Sequence, residues 1–294
     1  MQKTLLVTGA AGQLGQQVIA RLMDANSVAP GQIVAATRHP EKLERLAALG
    51  VQVRRADFED PASLAAAFAG VNRMLLISTD AIDRPGRRLA QHKAAIEAAR
   101  KAGVKHMAYT SMINPEDSLI LFAPDHLGTE KALTASGLSW TLLRNSWYME
   151  NLRATIQSVL ASGKWFTSAG TGRMSYVARE DCARVAAAAL ASDSTANVRY
   201  DVTGPEKHTT AQIAAIISDV YGKPIEVMQV TDAQLIEGLQ SAGLPVPIAK
   251  LVASFDANTR AGKVDVVSTA VHQLTGRAPQ SLRDFLIANK AVSS

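Results

Sequence analysis

Three glycines recur at every third position near the N-terminus, at Gly9, Gly12 and Gly15 in VTGAAGQLGQQVIARL. An apolar run precedes them and a helical pattern follows, so they occupy the turn from a strand into a helix. Glycine permits a tight turn, and the first N–H groups of the helix stay free to bind an anion such as a pyrophosphate. A glycine-rich turn without a ligand is the alternative. The predicted dinucleotide contacts are Gly9, Ala11, Gly12, Gln13, Leu14 and Gly15.

A basic residue follows the second apolar run. Arg38, in ATRHPEK, stands where proteins that bind NAD usually place an acid against the ribose 2′-hydroxyl. A guanidinium at this point would pair with a 2′-phosphate, which an acid would repel. The sequence therefore favours NADP(H), and Lys42, one turn along, could share the phosphate. A solvated arginine is the alternative.

Polar residues also end the third and fourth apolar runs. Asp57 and Phe58, in RRADFED, could hold an adenine, with the Asp57 carboxylate on the amino group. Asp57 could equally cap the next helix, which begins near Asp60. Ser78 and Thr79 are expected to line the cofactor channel, although small polar residues end many strands that bind nothing.

The elements that position these residues follow from an alternation of strand-like and helix-like segments. Short apolar runs such as QIVAATR precede helical patterns such as PEKLERLAALG, and six such units fill residues 1 to about 145. Runs too apolar for a half-exposed sheet indicate parallel strands covered by helices on both faces. The predicted fold is therefore α/β, a doubly wound parallel sheet, with helices that end at Gly50, Gly70, Gly103 and Gly137.

The alternation breaks after Asn145. The segment VRYDVTG predicts a strand near residues 198–203 that returns to the main sheet, and most of the remaining chain has helical patterns. We therefore expect an NAD(P)-binding domain over residues 1–147 and a smaller substrate-binding part over residues 148–294.

Composition narrows the class of function. The chain has 294 residues, of which 47% are hydrophobic, as in core-forming globular proteins. The net charge is +5, but acids interrupt the basic residues, which favours a small anionic ligand over nucleic acid. No apolar stretch approaches membrane-spanning length, so we expect a soluble cytoplasmic protein. The single Cys182 fits a helical core position, and six dispersed histidines disfavour a metal site.

Five segments together resemble one family. They are TGAAGQLG, VKHMAYTSM, HLGTEKAL, TLLRNSWYMENL and MSYVAREDCARVAAAAL. They are similar to the NmrA-like, atypical short-chain dehydrogenase/reductases, most of all to the bacterial NADPH:quinone oxidoreductase branch, and next to triphenylmethane reductases. The likeness runs from Met1 to about Gly204 and weakens beyond it. It implies a Rossmann-type domain, a smaller, mostly helical C-terminal domain, a cleft between them, and two-electron reduction without flavin.

The resemblance leaves a gap at the catalytic position. The general dehydrogenase pattern has a Tyr four residues before a Lys, with an upstream Ser, but here Leu127 precedes Lys131 and Ser111. A quinone needs a general acid less than a ketone does, because hydride addition gives a phenolate whose charge spreads over a ring. We expect Lys131 to hold the nicotinamide ribose and stabilise the oxyanion; an exposed helix lysine is the alternative. Tyr109 or His126 could donate the proton, although the sequence favours a buried strand tyrosine at Tyr109 over a proton donor.

An aromatic block follows the last strand of the first half. The resemblance places Asn145, Trp147 and Tyr148 beside the nicotinamide and the substrate, with His126 as a further substrate contact. Trp147 and Tyr148 would form a flat wall for a planar acceptor. Ordinary packing between domains is the alternative for both.

Two other functions stay open alongside an NADPH-dependent quinone reductase. One is a catalytically silent NADP(H) sensor that binds a partner protein, and the other is a reductase of other planar conjugated compounds such as dyes. The presence of Lys131 and of the aromatic block favours the enzyme. We expect a monomer or a homodimer, with neither nucleic acid nor a membrane as a partner.

Overall fold

Seven parallel strands form the main sheet of the computed structural model, which describes residues 3–24 and 28–290. The spatial order is β3-β2-β1-β4-β5-β6-β9. These strands are β1 (Leu5–Val7), β2 (Ile33–Thr37), β3 (Gln52–Arg55), β4 (Arg73–Leu76), β5 (His106–Met112), β6 (Ser139–Asn145) and β9 (Val198–Val202). The chain reverses its direction of winding between β1 and β4. This confirms the predicted doubly wound, Rossmann-type fold and places a ligand crevice at the carboxyl ends of these strands.

The central strands are buried on both faces, which explains their apolar sequences. In β1, Leu6 pairs with Val34 on one side and with Met74 on the other. Side chains alternate between the two faces, so Leu5 and Val7 enter one core while Leu6 enters the other. Each face of the sheet therefore needs its own layer of helices.

Helices cover both faces. Those of the first half and of the returning segment are α1 (Gln13–Met23), α2 (Glu44–Ala48), α3 (Pro61–Phe68), α4 (Arg87–Lys101), α5 (Ala123–Thr134), α6 (Leu152–Ser162) and α7 (Arg179–Ala191). Helices α1 and α7 pack on one face, and α3, α4 and α5 pack on the other. Cys182 is buried in α7, as predicted for a core position.

The four predicted helix-ending glycines all adopt positive φ angles. The values are 87° at Gly50, 73° at Gly70, 76° at Gly103 and 81° at Gly137. Glycine has no Cβ to oppose this left-handed conformation, so it ends each helix without strain. The helical pattern QLGQQVIARLMDAN, which follows the glycine turn, predicts a helix as far as Asn26. The helix α1 ends at Met23, and residues 25–27 lie outside the described part of the chain.

The second half of the chain forms a smaller layer with short strands and helices. Its elements are β7 (Lys164–Thr167), β8 (Arg173–Met174), β10 (His208–Thr209), α8 (Thr210–Tyr221), β11 (Glu226–Gln229), α9 (Asp232–Ser241), α10 (Val246–Arg260), α11 (Ala270–Thr275) and α12 (Leu282–Ala288). A third core joins α6, α8 and α12 through residues such as Ile156, Ile217 and Phe285. Both α7 and β9 belong to the main sheet layer, so a single boundary at residue 147 does not describe the path of the chain.

None of the helices within residues 3–24 and 28–290 combines the length and the apolar character needed to cross a membrane.

Candidate active site

A cleft of about 660 Å³ lies at the carboxyl ends of β1, β2, β3 and β4. We name it the dinucleotide cleft. Its lining residues are Thr8, Gly9, Ala11, Gly12, Ala36, Thr37, Arg38, His39, Lys42, Ala56, Asp57, Phe58, Ile77, Ser78, Thr79, Asp80, Ala81, Asp83, Arg87 and Gln91. Most of these residues follow directly after a strand. The sequence analysis named only some of them, but the predicted strand ends could have identified most of the others. Arg87 and Gln91 come from α4, and no sequence signal pointed to them.

The glycine loop shapes the inner wall of this cleft. Gly9 has a φ of +60°, and the Gly12 N–H donates to the Gly9 carbonyl at 2.9 Å. A Cβ on Gly15 would lie 2.4 Å from the Gly9 oxygen, so only glycine allows α1 to start this close to the loop. The first turn of α1 has neither a side-chain cap nor an acid. Its N–H groups are therefore available to an anion, and the loop fits a pyrophosphate.

Three of the predicted dinucleotide contacts in the glycine loop lie outside the cleft. Gln13 accepts a hydrogen bond from Arg179 Nη1 at 2.6 Å through its side-chain oxygen. The Leu14 side chain enters the core beneath α1, and Gly15 serves the close approach of helix and loop. None of these three residues is among those that line the cleft.

The outer end of the cleft is basic. Arg38 and Lys42 both line it, and neither side chain forms an ion pair or a hydrogen bond with any residue that the structure describes. His39, between them, lies 3.2 Å from Glu41 through its Nδ1 atom. Two cations without partners suit a phosphate ester, which fits the 2′-phosphate predicted from Arg38.

Asp57 and Phe58, the predicted adenine contacts, line the cleft after β3. The helix cap is instead Asp60, whose Oδ1 accepts from the backbone N–H groups of Ala62 and Ser63. Asp57 Oδ1 accepts from the Glu59 N–H at 3.0 Å, which fixes the turn. The capping alternative therefore applies to Asp60, and Asp57 remains available to a ligand.

Ser78 and Thr79 also line the cleft, and buried side chains hold their backbone. The Ser78 N–H donates to Thr110 Oγ1 at 2.9 Å, and the Thr79 N–H donates to His92 Nε2 at 3.0 Å. Thr79 Oγ1 is buried without a hydrogen-bond partner among the described residues. A ligand in the cleft could supply that partner.

A second, smaller pocket lies at the same edge of the sheet, beside the ends of β5 and β6. We name it the apolar pocket, and its volume is about 40 Å³. Its lining residues are Met112, Ile113, Ile120, Phe122, Asn145, Ser146, Trp147, Met174, Phe255 and Val264. The ring centroids of Trp147 and Phe255 are 4.2 Å apart. Phe255 belongs to α10, so this helix covers the pocket.

Only part of the aromatic block, Asn145 to Tyr148, lines this pocket. Of the predicted substrate contacts, Trp147 and Asn145 line it, whereas Tyr148 does not. The Tyr148 hydroxyl lies 3.1 Å from Asn145 Nδ2, and the Arg179 guanidinium carbon lies 5.1 Å from the centre of the Tyr148 ring. Burial raises the pKa of Tyr148, so its hydroxyl keeps its proton. The flat wall therefore consists of Trp147 with Phe122 and Phe255.

The structure does not bring Lys131 to either pocket. Lys131 is exposed on α5, and the face of α5 that meets the sheet carries Glu130 instead. Ser111 Oγ donates to Glu130 Oε1 at 2.6 Å, and Arg144 Nε donates to the same oxygen at 2.9 Å. Arg144 also binds Glu116. The Ser111 hydroxyl thus donates its proton to the buried ion pair of Glu130 and Arg144, which was not predicted from the sequence.

Tyr109 and His126 meet in a buried network behind Phe122. The Tyr109 hydroxyl lies 2.8 Å from His126 Nδ1, and Arg88 Nη1 lies 3.1 Å from His126 Nε2. A guanidinium only donates, so Nε2 accepts and Nδ1 carries the proton. Burial, with Arg88 close by, lowers the pKa of His126 and lowers that of His92 to about 3. Both imidazoles are therefore neutral, and neither lines a pocket.

These features define a nucleotide-binding α/β protein with an apolar pocket beside its dinucleotide cleft. The chain belongs to the NmrA-like family, whose model matches residues 1–286.

Individual relatives are similar over nearly the whole chain. Quinone oxidoreductase 2 of Escherichia coli (strain K12) is 37% identical over 95% of this chain and 96% of its own. The crystal structure of NADPH-dependent quinone oxidoreductase from Escherichia coli in complex with NADPH matches with a TM-score of 0.92 at 36% identity, covering 98% of this chain and 100% of that chain. Citrobacter sp. triphenylmethane reductase complexed with NADP(H) matches with a TM-score of 0.88 at 34% identity, covering 97% of this chain and 99% of that chain.

Proposed function

We propose that this protein is an NADPH-dependent oxidoreductase that reduces quinones by two-electron transfer without flavin. The observation that carries the proposal is the pair of sites at one edge of the sheet. The dinucleotide cleft lies at the carboxyl ends of β1 to β4, and the apolar pocket lies at the carboxyl ends of the neighbouring strands β5 and β6. A cofactor that runs along this edge would bring its reactive end toward the apolar pocket. The similar enzymes named above use NADPH or reduce quinones, which supports the same assignment here.

The residues of the dinucleotide cleft fit NADP(H). The loop at Gly9 and Gly12 would hold the pyrophosphate, Arg38 with Lys42 the 2′-phosphate, and Asp57 with Phe58 the adenine. When bound, the cofactor supplies a hydride, which adds to the quinone while one proton from solvent or protein completes the hydroquinone. The protein itself would bind the cofactor and the quinone, orient them toward each other and exclude water from the site.

The apolar pocket offers aromatic surfaces to a planar acceptor. Trp147, Phe122 and Phe255 offer flat faces, and α10 shields them from water. The negative charge that forms on a reduced quinone is spread over its ring, so a general acid at the reacting oxygen is needed less than in the reduction of a ketone. Conjugated dyes share this chemistry and differ from quinones in shape.

The catalytic assignments to Lys131, Ser111 and Tyr109 stay predictions, and we give them no step. Lys131 points to solvent, the Ser111 proton is bound to Glu130, and the Tyr109 hydroxyl is buried against His126. A cytoplasmic location, the absence of nucleic-acid partners and a monomeric or homodimeric state also stay predictions from the sequence.

Turnover of purified protein with NADPH and 1,4-benzoquinone tests the proposed function. Loss of the reduced-nicotinamide absorbance, corrected for the non-enzymatic rate, should be fast with NADPH and slower with NADH. Absence of turnover despite measurable NADPH binding would favour the silent sensor instead.

The Arg38→Ala variant tests the cofactor preference. Loss of a charge-assisted contact to the 2′-phosphate should raise KM for NADPH by about tenfold and leave KM for NADH nearly unchanged. Arg45→Ala is the matched control, because Arg45 is an exposed basic residue outside the cleft. An equal loss for both cofactors would contradict the role of Arg38.

A further inference from the structure

Asn145 presents an unsatisfied polar atom at the apolar pocket. Its side chain lines the pocket, the residue is 9% exposed, and its Oδ1 has no hydrogen-bond partner within residues 3–24 and 28–290. The other end of the amide, Nδ2, donates to the Tyr148 hydroxyl. A buried carbonyl oxygen without a partner has lost its hydrogen bonds to water and gained none in return, which is destabilising. The site is therefore built for a ligand that completes the hydrogen bonds of this amide.

Tyr148 can support either orientation of that amide. A phenol hydroxyl both donates and accepts. In the orientation found here Nδ2 donates to Tyr148, and Oδ1 is the end of the amide without a partner among the described residues. Rotation of the amide by half a turn lets Oδ1 accept from the Tyr148 hydroxyl, and Nδ2 then faces the pocket. Asn145 can thus offer the pocket an acceptor or a donor, and Tyr148 stays hydrogen-bonded in both cases.

This choice matches the change that a quinone oxygen undergoes on reduction. The carbonyl oxygen of a quinone only accepts hydrogen bonds, whereas the hydroxyl of the hydroquinone also donates. We propose that Asn145 binds the reducible oxygen of the acceptor, through Nδ2 before reduction and through Oδ1 afterwards, and that Tyr148 is the positioning residue for the Asn145 amide. The inference rests on the proposed function and adds the polar contact that selects acceptors carrying an oxygen at the reacting group.

Two substitutions of Asn145 test the contact. Asn145→Leu removes both ends of the amide in an apolar setting, and Asn145→Asp keeps the shape but replaces the donor with an acceptor. Both should lower kcat/KM for 1,4-benzoquinone by about 100-fold, as expected for loss of one donor to a developing oxyanion. The dissociation constant for NADPH should change less than about twofold, which also shows that the variants fold.

A double-mutant cycle tests whether Tyr148 acts through Asn145. Tyr148→Phe alone should lower kcat/KM by about tenfold, and the same change in the Asn145→Leu background should have no further effect. Tyr221→Phe on α8 is the matched control and should behave like the unmodified protein.

The outcomes separate the inference from the proposed function. Without quinone turnover by the unmodified protein, the proposed function itself fails. With turnover, unchanged quinone kinetics in Asn145→Leu and Asn145→Asp would overturn the contact. A loss in NADPH binding equal to the loss in kcat/KM would mean that Asn145 binds the cofactor instead. Additive effects of Asn145→Leu and Tyr148→Phe, with a changed pH profile in Tyr148→Phe, would make Tyr148 an independent proton donor and overturn its positioning role.

Discussion

Lys131 and Glu130 show how one residue of helical rotation decides which side chain reaches a site. The general dehydrogenase pattern has a lysine and an upstream serine in the catalytic region, and Lys131 and Ser111 match those two positions. In the folded chain Glu130 is buried against Ser111, and Lys131, about 100° further round the helix, is exposed. The pair that faces inward is His126 and Glu130, with the same four-residue spacing as Leu127 and Lys131.

Lys131→Met should therefore change catalysis little. An exposed lysine without a role at the reacting atoms should leave kcat/KM for quinone within about threefold of the unmodified value. Steady-state kinetics with NADPH and benzoquinone give the measurement, and Lys101→Met on α4 provides an equally exposed control. A drop greater than about tenfold in Lys131→Met alone would mean that its side chain swings to the cofactor and would restore the assignment made from the sequence.

At the scale of elements, most of the main sheet could be predicted from the sequence. Strands such as β2 are buried on both faces and are apolar up to a final threonine, and glycines such as Gly50 mark the helix ends. The Gly9 loop was predictable because strand, turn and helix are adjacent in sequence. Phe255 was not, because it reaches the apolar pocket from α10, more than a hundred residues after Trp147, and no local pattern encodes such a contact.

Helix α10 should control the size of acceptor that enters the apolar pocket. The pocket has a volume of only about 40 Å³, and Phe255 is the residue of α10 that lines it. A bulky acceptor therefore needs Phe255 to move further than a small one does. Phe255→Ala should raise kcat/KM for a bulky naphthoquinone by about fivefold relative to 1,4-benzoquinone.

The matched control for this change is Phe166→Ala, because Phe166 is an exposed phenylalanine on β7, outside the pocket. Kinetics with both acceptors give the ratio. Equal changes for the small and the large quinone in Phe255→Ala would show that α10 does not limit access.

Arg73 ties the main sheet to α7. It is buried on β4 and donates to the carbonyls of Ala189, Leu190 and Ser194, at and beyond the C-terminus of α7. Arg73→Met should lower the free energy of unfolding by about 2–4 kcal/mol, since buried carbonyls lose their donors.

Urea unfolding followed by circular dichroism gives this measurement. Arg100→Met is the control, because Arg100 is an exposed arginine whose partner, Glu97, is also exposed. A change in Arg73→Met no larger than that in the control would show that water replaces the lost donors.

At the scale of the whole molecule, buried histidines make stability depend on pH. Burial, the larger cause, and Arg73 lower the pKa of His106 to about 4, and burial and Arg88 lower that of His92 to about 3. In the unfolded chain both titrate near the ordinary value of about 6.5. Above that pH both states are neutral and no difference arises. As the pH falls below that value, these histidines bind protons in the unfolded chain but not in the folded one. The free energy of unfolding therefore decreases.

The free energy of unfolding should therefore fall between about pH 7.5 and about pH 5, by up to about 2 kcal/mol for each such histidine before other groups are counted. Urea unfolding across this range measures the slope. His106→Gln should be less stable than the unmodified protein at about pH 7.5 but should lose less stability on acidification, because one proton-binding group is absent from its unfolded state. Exposed His272 provides the control, since His272→Gln removes a histidine that stays in water in both states. An unchanged slope in His106→Gln would mean that His106 accepts a proton in the folded protein, where its ring lies between the hydroxyls of Ser139 and Thr141.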